Sequence, residues 1–212
     1  MEKFSPRQIL KKILAETGVE LCARWPVLPL IWLARRYNDI LLNCEKLKII
    51  IHTVKKRAPC RFLIFGLGND SILWSKVNRH GKTVFLEDNK SWMRDILKRH
   101  SSLTAYLVEY ETLRTEWPAY LENSEKLHMN LPEEVEREKW DVILVDGPAG
   151  YDDSNPGRMK SIFLARKLSL NSDVFVDDCH RKVEQIYCDQ FLKNENLKAE
   201  VDELRHYYLT HF

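Results

Sequence analysis

Phe62-Leu63-Ile64-Phe65-Gly66-Leu67-Gly68-Asn69-Asp70-Ser71 runs from four consecutive apolar residues through two glycines one residue apart into polar residues suited to a helix start. It reads as a buried strand, a tight turn and a helix N-terminus. Glycines at 66 and 68 let the backbone bend sharply and approach a ligand, with N–H groups and the helix end facing an anionic group. The next apolar run, 83–86, ends at Glu87-Asp88, so Glu87 lies nineteen residues beyond Gly68. A carboxylate at that strand end can accept both hydroxyls of a ribose.

Outward from this stretch, short apolar runs at 105–108, 142–145 and 174–176 alternate with helical spacing at 71–77, 91–99, 158–168 and 182–192. That alternation predicts an α/β fold with a mostly parallel central sheet and helices on both faces. The continuous hydrophobicity of the runs predicts strands buried on both sides. Segments 197–201 and 205–209 predict a closing hairpin with an antiparallel C-terminal strand, and the polar segment 111–138, with Pro118 and Pro132, predicts an irregular insertion. Residues 1–57 read as an N-terminal helical cap, with Ser5 and Pro6 at a helix start, and 58–212 as one compact α/β domain. The stripe Leu47, Ile50, Ile51 and Val54, accompanied by Lys46, Lys48, Lys55, Lys56 and Arg57, reads as packing, with a lid or interfacial helix as the alternative.

The chain has 212 residues, 44% apolar and 30% charged, with 33 Lys+Arg against 31 Asp+Glu. At that length about 70% of the unfolded surface can be buried, so no disulfide framework is needed. Collagen-like, disordered and knottin-like classes are excluded. The balanced, interspersed charge argues against a nucleic-acid partner. Five widely spaced cysteines without a C-x-x-C pair suit a reducing compartment, and the longest apolar run, 27–33, contains Pro29. A membrane span needs about 20 apolar residues. A cytoplasmic protein without a membrane span is expected, and the oligomeric state is open.

Two further strand ends carry chemistry. Asp146 closes 142–145 and is followed by Gly147-Pro148; Asp177 and Asp178 close 174–176 and are followed by Cys179 and His180. Carboxylates at the carboxyl edge of a parallel sheet stand where such sheets bind ligands. Asp146, Asp177 and Asp178 are candidate ligands for a divalent cation, Mg²⁺ or Mn²⁺ for carboxylates alone, with Zn²⁺ or Co²⁺ if His180 joins. Asp146, Asp178 and His180 are candidate catalytic residues. The loop 150–157 precedes Arg158, whose planar fork suits an acceptor carboxylate, and contains Tyr151, whose ring suits a sugar face. Ser71 stands where a dinucleotide loop needs a third glycine, which favours S-adenosylmethionine over a nicotinamide cofactor.

Taken together, the stretch 58–71, Phe85-Leu86-Glu87-Asp88, the run 140–148, Gly157-Arg158-Met159 and Val174-Phe175-Val176-Asp177-Asp178 resemble the polysaccharide-biosynthesis family of glucuronoxylan 4-O-methyltransferases and irregular-xylem proteins, from about residue 47 to 209. The resemblance implies a Rossmann-like class I methyltransferase fold, S-adenosylmethionine as donor, a uronic-acid or related sugar hydroxyl as acceptor, and a divalent cation. It carries onto Gly66, Gly68, Glu87, Asp146, Arg158 and Asp178, with Asp177 standing where the family usually has His. Phe65 replaces the acidic residue that most methyltransferases place before the glycine loop, so Asp70 or Asp146 is expected to meet the donor's ammonium. The expected activity is O-methyl transfer to a sugar or glycan hydroxyl; the alternative is a non-catalytic subunit that binds donor or glycan.

Overall fold

The computed structural model describes residues 5–210. Two compact units make up the chain: residues up to Pro59 together with Gly68–His80, and Cys60–Leu67 together with Gly81 onward.

The first unit is helical: α1 (Pro6–Arg24), α2 (Leu28–Asn38), α3 (Cys44–Arg57) and α4 (Ser71–Val77). Ser5 starts α1 through a reciprocal cap. Its Oγ accepts from the Gln8 N–H at 3.3 Å, and Gln8 Oε1 accepts from the Ser5 N–H at 2.8 Å, with Pro6 in the first turn. α2 folds back along α1, where Asn38 Nδ2 donates to the Ala15 carbonyl at 3.2 Å. In α3, Leu47, Ile50, Ile51 and Val54 are all fully buried, so the apolar stripe is core rather than an interfacial face. Lys55 Nζ closes the end of α1 by donating to the Ala23 and Arg24 carbonyls, each at 2.8 Å.

The second unit is built on seven strands: β1 (Arg61–Phe65), β2 (Lys82–Glu87), β3 (Thr104–Leu107), β4 (Trp140–Val145), β5 (Ser169–Val176), β6 (Leu197–Val201) and β7 (Leu204–Leu209). Their order is β3-β2-β1-β4-β5-β7-β6, parallel from β3 to β5, with β7 antiparallel to both β5 and β6. The order reverses between β1 and β4, the switch point at which open parallel sheets bind ligands. Leu63, Phe65, Ile143 and Val145 join one buried cluster, and the alternate residues Phe62, Ile64, Val142 and Leu144 are buried as well. Both faces are therefore apolar, as a parallel sheet requires.

Helices α5 (Lys90–Arg99), α6 (Trp117–Glu122), α7 (Glu133–Glu136), α8 (Met159–Leu168) and α9 (Lys182–Tyr187) complete the unit. The last departs from expectation. The helical spacing predicted through 192 gives way at Cys188–Leu192 to a π-helical turn, ended by Lys193 at φ 65°. Over five residues an apolar pattern does not separate 3.6 residues per turn from a wider coil. Likewise β5 begins at Ser169 rather than 174, because pairing with β7, not hydrophobicity, extends the polar Ser172 and Asp173.

Candidate active site

The strand register builds the site. Phe65 is aligned with Leu86 on one side and Val145 on the other, and Val145 with Val176. One residue further along each strand, Glu87, Gly66, Asp146 and Asp177 therefore stand in a row along the carboxyl edge, with Asp178 next. At the switch point two main chains nearly touch. A Cβ on Gly147 would lie 3.0 Å from Gly66 Cα, and one on Gly66, at φ +112°, would lie 3.2 Å from the Asp146 carbonyl oxygen. A Cβ at either position would make the facing main chain shift, and at Gly66 it would also strain the backbone. The sequence reading gave Gly66 to the close approach of a ligand, whereas here the approach is to the main chain of the next strand; Gly147 was not singled out, because its constraint comes from Gly66, 81 positions earlier.

Glu87 is held by main chain. Its Oε2 accepts from the Leu67 N–H at 2.9 Å and its Oε1 from the Asn89 N–H at 2.8 Å. Burial pushes this carboxyl above the usual range, against the opposing pull of those amides. Each oxygen keeps further acceptor capacity. Trp92 Nε1 donates to the Leu67 carbonyl at 2.5 Å and so pins the turn after β1. Asp88 is exposed beside Glu87.

Arg158 organises the other half of the site. It is 5% exposed, and its guanidinium donates to the carbonyls of Asp177 at 2.7 Å, Asp146 at 3.1 Å, Val145 at 3.3 Å and Pro148 at 3.4 Å. Its Nη2 also lies 3.1 Å from Asp146 Oδ1 and 2.6 Å from Asp178 Oδ2. Arg181 Nη1 adds a contact to Asp178 Oδ2 at 2.9 Å. Where the sequence suggested a fork open to an acceptor carboxylate, the structure has a buried cross-link between strand tips. The same contacts bear on the expected metal. A guanidinium nitrogen stands between Asp146 and Asp178, so the pair already has its positive charge and does not fit a divalent cation. A looser trio, Asp178, His180 and Glu203, brings its ligand atoms within 4.8 Å of one another, but two arginines already balance Asp178.

His180 turns toward Glu203 in the β6–β7 turn, its Nδ1 3.6 Å from Oε1. Asp178 adopts the left-handed region at φ 62°, where the chain bends off the tip of β5. Tyr151 is 73% exposed on a loop tied down by others: Arg114 donates to the Asp152 carbonyl at 3.2 Å and pairs with Asp153, and Thr112 Oγ1 donates to the Pro156 carbonyl at 3.0 Å. Gly68 and Asp70 belong to the helical unit, where the Gly68 N–H donates to Ser71 Oγ at 2.9 Å and Asp70 Oδ2 accepts from Trp74 Nε1 at 2.9 Å.

Glu184 and Arg181 escaped the sequence reading. Glu184 is fully buried on α9, and a Cβ on Gly150 would come within 2.8 Å of its Oε1. Burial pushes the Glu184 carboxyl up, while main-chain amides, Arg158 and Arg181 hold it back. On a six-residue helix the one signal for it was an acid at a core-facing position. Four acids, Asp146, Asp177, Asp178 and Glu184, thus surround two arginines.

A sheet of this order with glycines and carboxylates at its switch point defines the class I methyltransferase fold. Two solved structures share it: a candidate caffeoyl-CoA O-methyltransferase from Staphylococcus aureus (TM-score 0.55, 12% identity, 94% of this chain and 99% of that one) and a methyltransferase-like protein from Silicibacter pomeroyi (0.51, 15%, 80% and 87%). More narrowly, the chain belongs to the IRX15/IRX15L/GXM family, whose model matches residues 45–129 and 118–207. Among its relatives in Arabidopsis thaliana are glucuronoxylan 4-O-methyltransferase 2, 34% identical over 77% of this chain and 64% of that protein, and arabinogalactan O-methyltransferase 2, at 35%, 77% and 65%. Protein IRREGULAR XYLEM 15 is 34% identical over 83% of this chain and 63% of its own length. The chain therefore spans a little under two thirds of these relatives. Among the described residues, no helix is long and apolar enough to cross a membrane.

Proposed function

We propose that the chain is an S-adenosylmethionine-dependent O-methyltransferase acting on a hydroxyl of a sugar, a uronic acid or uronate-containing glycan. The observation that carries this is the row Glu87, Gly66, Asp146 along one sheet edge, in a family whose relatives are named for methyl transfer to glucuronoxylan and arabinogalactan.

The residues fit the donor. Gly66 lets the turn after β1 run against the Asp146–Gly147 main chain, and Glu87 offers two main-chain-held oxygens with acceptor capacity for vicinal ribose hydroxyls. Asp146, whose contact to Arg158 is longer than that of Asp178, takes the donor's ammonium. Gly68 and Asp70 join the donor site on the sequence motif alone, and Asp88 as the neighbour of Glu87. When bound, the donor supplies an electrophilic methyl on a positively charged sulfur.

A sugar hydroxyl is a weak acid, so its oxygen needs an aligned proton acceptor as the new C–O bond forms. Asp146 and Asp178, held at fixed angles by Arg158, serve as that acceptor, with Asp146 the more open of the two. Arg158 acts as the positioning residue of the pair. Tyr151, exposed on its loop, meets the acceptor by its ring. His180 is proposed as a peripheral contributor through Glu203. The five free cysteines support a reducing, cytoplasmic setting.

The test is donor binding by calorimetry alongside turnover against a panel of uronic acids and glucuronate-bearing oligosaccharides. Asp178→Ala is expected to abolish turnover and leave donor affinity within a few-fold. Donor binding without turnover on any acceptor would favour the non-catalytic reading, which relatives such as IRREGULAR XYLEM 15, named for no activity, keep in view.

A further inference from the structure

The helical unit carries most of the exposed large apolar side chains. Of twelve among the described residues, eight (Ile9, Leu10, Ile13, Trp25, Val27, Leu28, Trp32 and Leu41) fall within residues 9–41. Scattered singly they would need no explanation; concentrated on one helical pair they mark a contact surface. Four of them meet where α1 turns into α2. Trp25 and Val27 occupy the connection, and Leu28 and Trp32 lie one turn apart on α2, with Trp25 51% and Trp32 54% exposed.

The surrounding charge selects the partner. Residues 5–41 contain Arg7, Lys11, Lys12, Arg24, Arg35 and Arg36 against Glu16, Glu20 and Asp39, the last 3.4 Å from Lys11. Glu20 is already paired with Lys76 and Arg79, and Glu16 lies 4.0 Å from Lys12. Arg24 and Arg36 are exposed beside the tryptophans, the Arg24 guanidinium 4.6 Å from the centre of the Trp25 ring. Tryptophan with aliphatic neighbours and a basic border is the composition of a surface that settles into an anionic lipid interface. An acidic glycan would use the tryptophans and arginines but not Val27 and Leu28, since aliphatic contact leaves sugar hydroxyls without partners. The family match begins at residue 45, so this surface lies outside the part that the family model describes.

We infer that the α1–α2 corner is a membrane-docking surface, with Trp25, Val27, Leu28 and Trp32 entering the headgroup region of an anionic bilayer and Arg24 and Arg36 meeting lipid phosphates. The chain touches the membrane through this corner. The inference is independent of the methyl-transfer reading.

Full-length protein mixed with phosphatidylcholine vesicles containing about one-third phosphatidylserine is expected to co-sediment with them, to shift its tryptophan emission to the blue and to be quenched by bromine-labelled acyl chains. Vesicles of phosphatidylcholine alone should retain far less, because the attraction of the basic residues disappears with the anionic headgroups. Trp25→Ser with Trp32→Ser should lower binding roughly tenfold or more with the melting temperature unchanged, and Arg24→Gln with Arg36→Gln should remove the preference for phosphatidylserine. Should the tryptophan variant misfold, the bromolipid quenching of the unaltered chain decides alone. Absence of vesicle binding at low salt overturns the inference. So does equal binding by the tryptophan variant, or a blue shift with soluble polygalacturonate but not with vesicles.

Discussion

Replacing Arg158 by Met would leave the side chain's bulk and delete its charge and its hydrogen bonds. Four main-chain carbonyls, at 2.7 to 3.4 Å, and the carboxylates of Asp146 and Asp178, at 3.1 and 2.6 Å, lose their shared donor. The side chains of Arg158, Asp146 and Asp178 are 6%, 31% and 18% exposed, so solvent compensates only part of the loss. Breaking a buried ion pair from one side costs about 3–5 kcal/mol. For a chain of this size each kcal/mol moves the melting temperature by about 2–4 °C, giving a fall of roughly 6–20 °C. The assay is thermal unfolding followed by circular dichroism or calorimetry. Adding Asp178→Asn to Arg158→Met should recover part of the loss, since Asp178 would otherwise keep one arginine partner, Arg181, in place of two. A melting temperature within about 2 °C of the unaltered chain would refute the view that this guanidinium ties the strand tips together.

Three other expectations are independent of that one. Gly147→Ala sets a methyl 3.0 Å from Gly66 Cα and 3.2 Å from the Phe65 carbonyl, with backbone on both sides, and should cost roughly 2 kcal/mol or more in urea unfolding. Glu87→Ala should weaken S-adenosylmethionine binding about tenfold or more in calorimetry, with Glu87→Gln intermediate because it keeps one acceptor oxygen. Burial raises the Glu184 carboxyl, so its folded form holds the proton more tightly than the unfolded chain does. Its ionisation therefore costs stability as pH rises from about 4.3 through the raised value. Glu184→Gln should accordingly gain on the unaltered chain between about pH 4 and pH 7 in urea unfolding; a constant difference across that range would contradict this account.

Local pattern determined much of the architecture. The apolar runs at 62–65, 83–86 and 142–145 and the helical spacing between them placed the parallel strands and α4, α5 and α8 within a few residues, because a two-sided buried strand must be apolar along its length. Ser5 and Pro6 announced the start of α1, and Gly66 with Glu87 marked the carboxyl edge of the sheet at its switch point.

Tertiary structure decided the rest, wherever the constraint comes from residues distant in sequence. Arg158 and Asp178, twenty positions apart, read separately as an acceptor fork and a metal ligand; proximity in a desolvated site pairs them, and burial turns the arginine into the cation that the carboxylates were expected to share. Gly147 is tight because a Cβ there would lie 3.0 Å from Gly66 Cα, and the buried Glu184 on α9 faces Gly150 from another segment. Among the N-terminal helices, composition alone leaves inside and outside undetermined. The packing buries the Leu47–Val54 stripe of α3 and leaves Trp25 and Trp32 in solvent, because a hydrophobic side chain's place depends on which neighbours arrive to cover it.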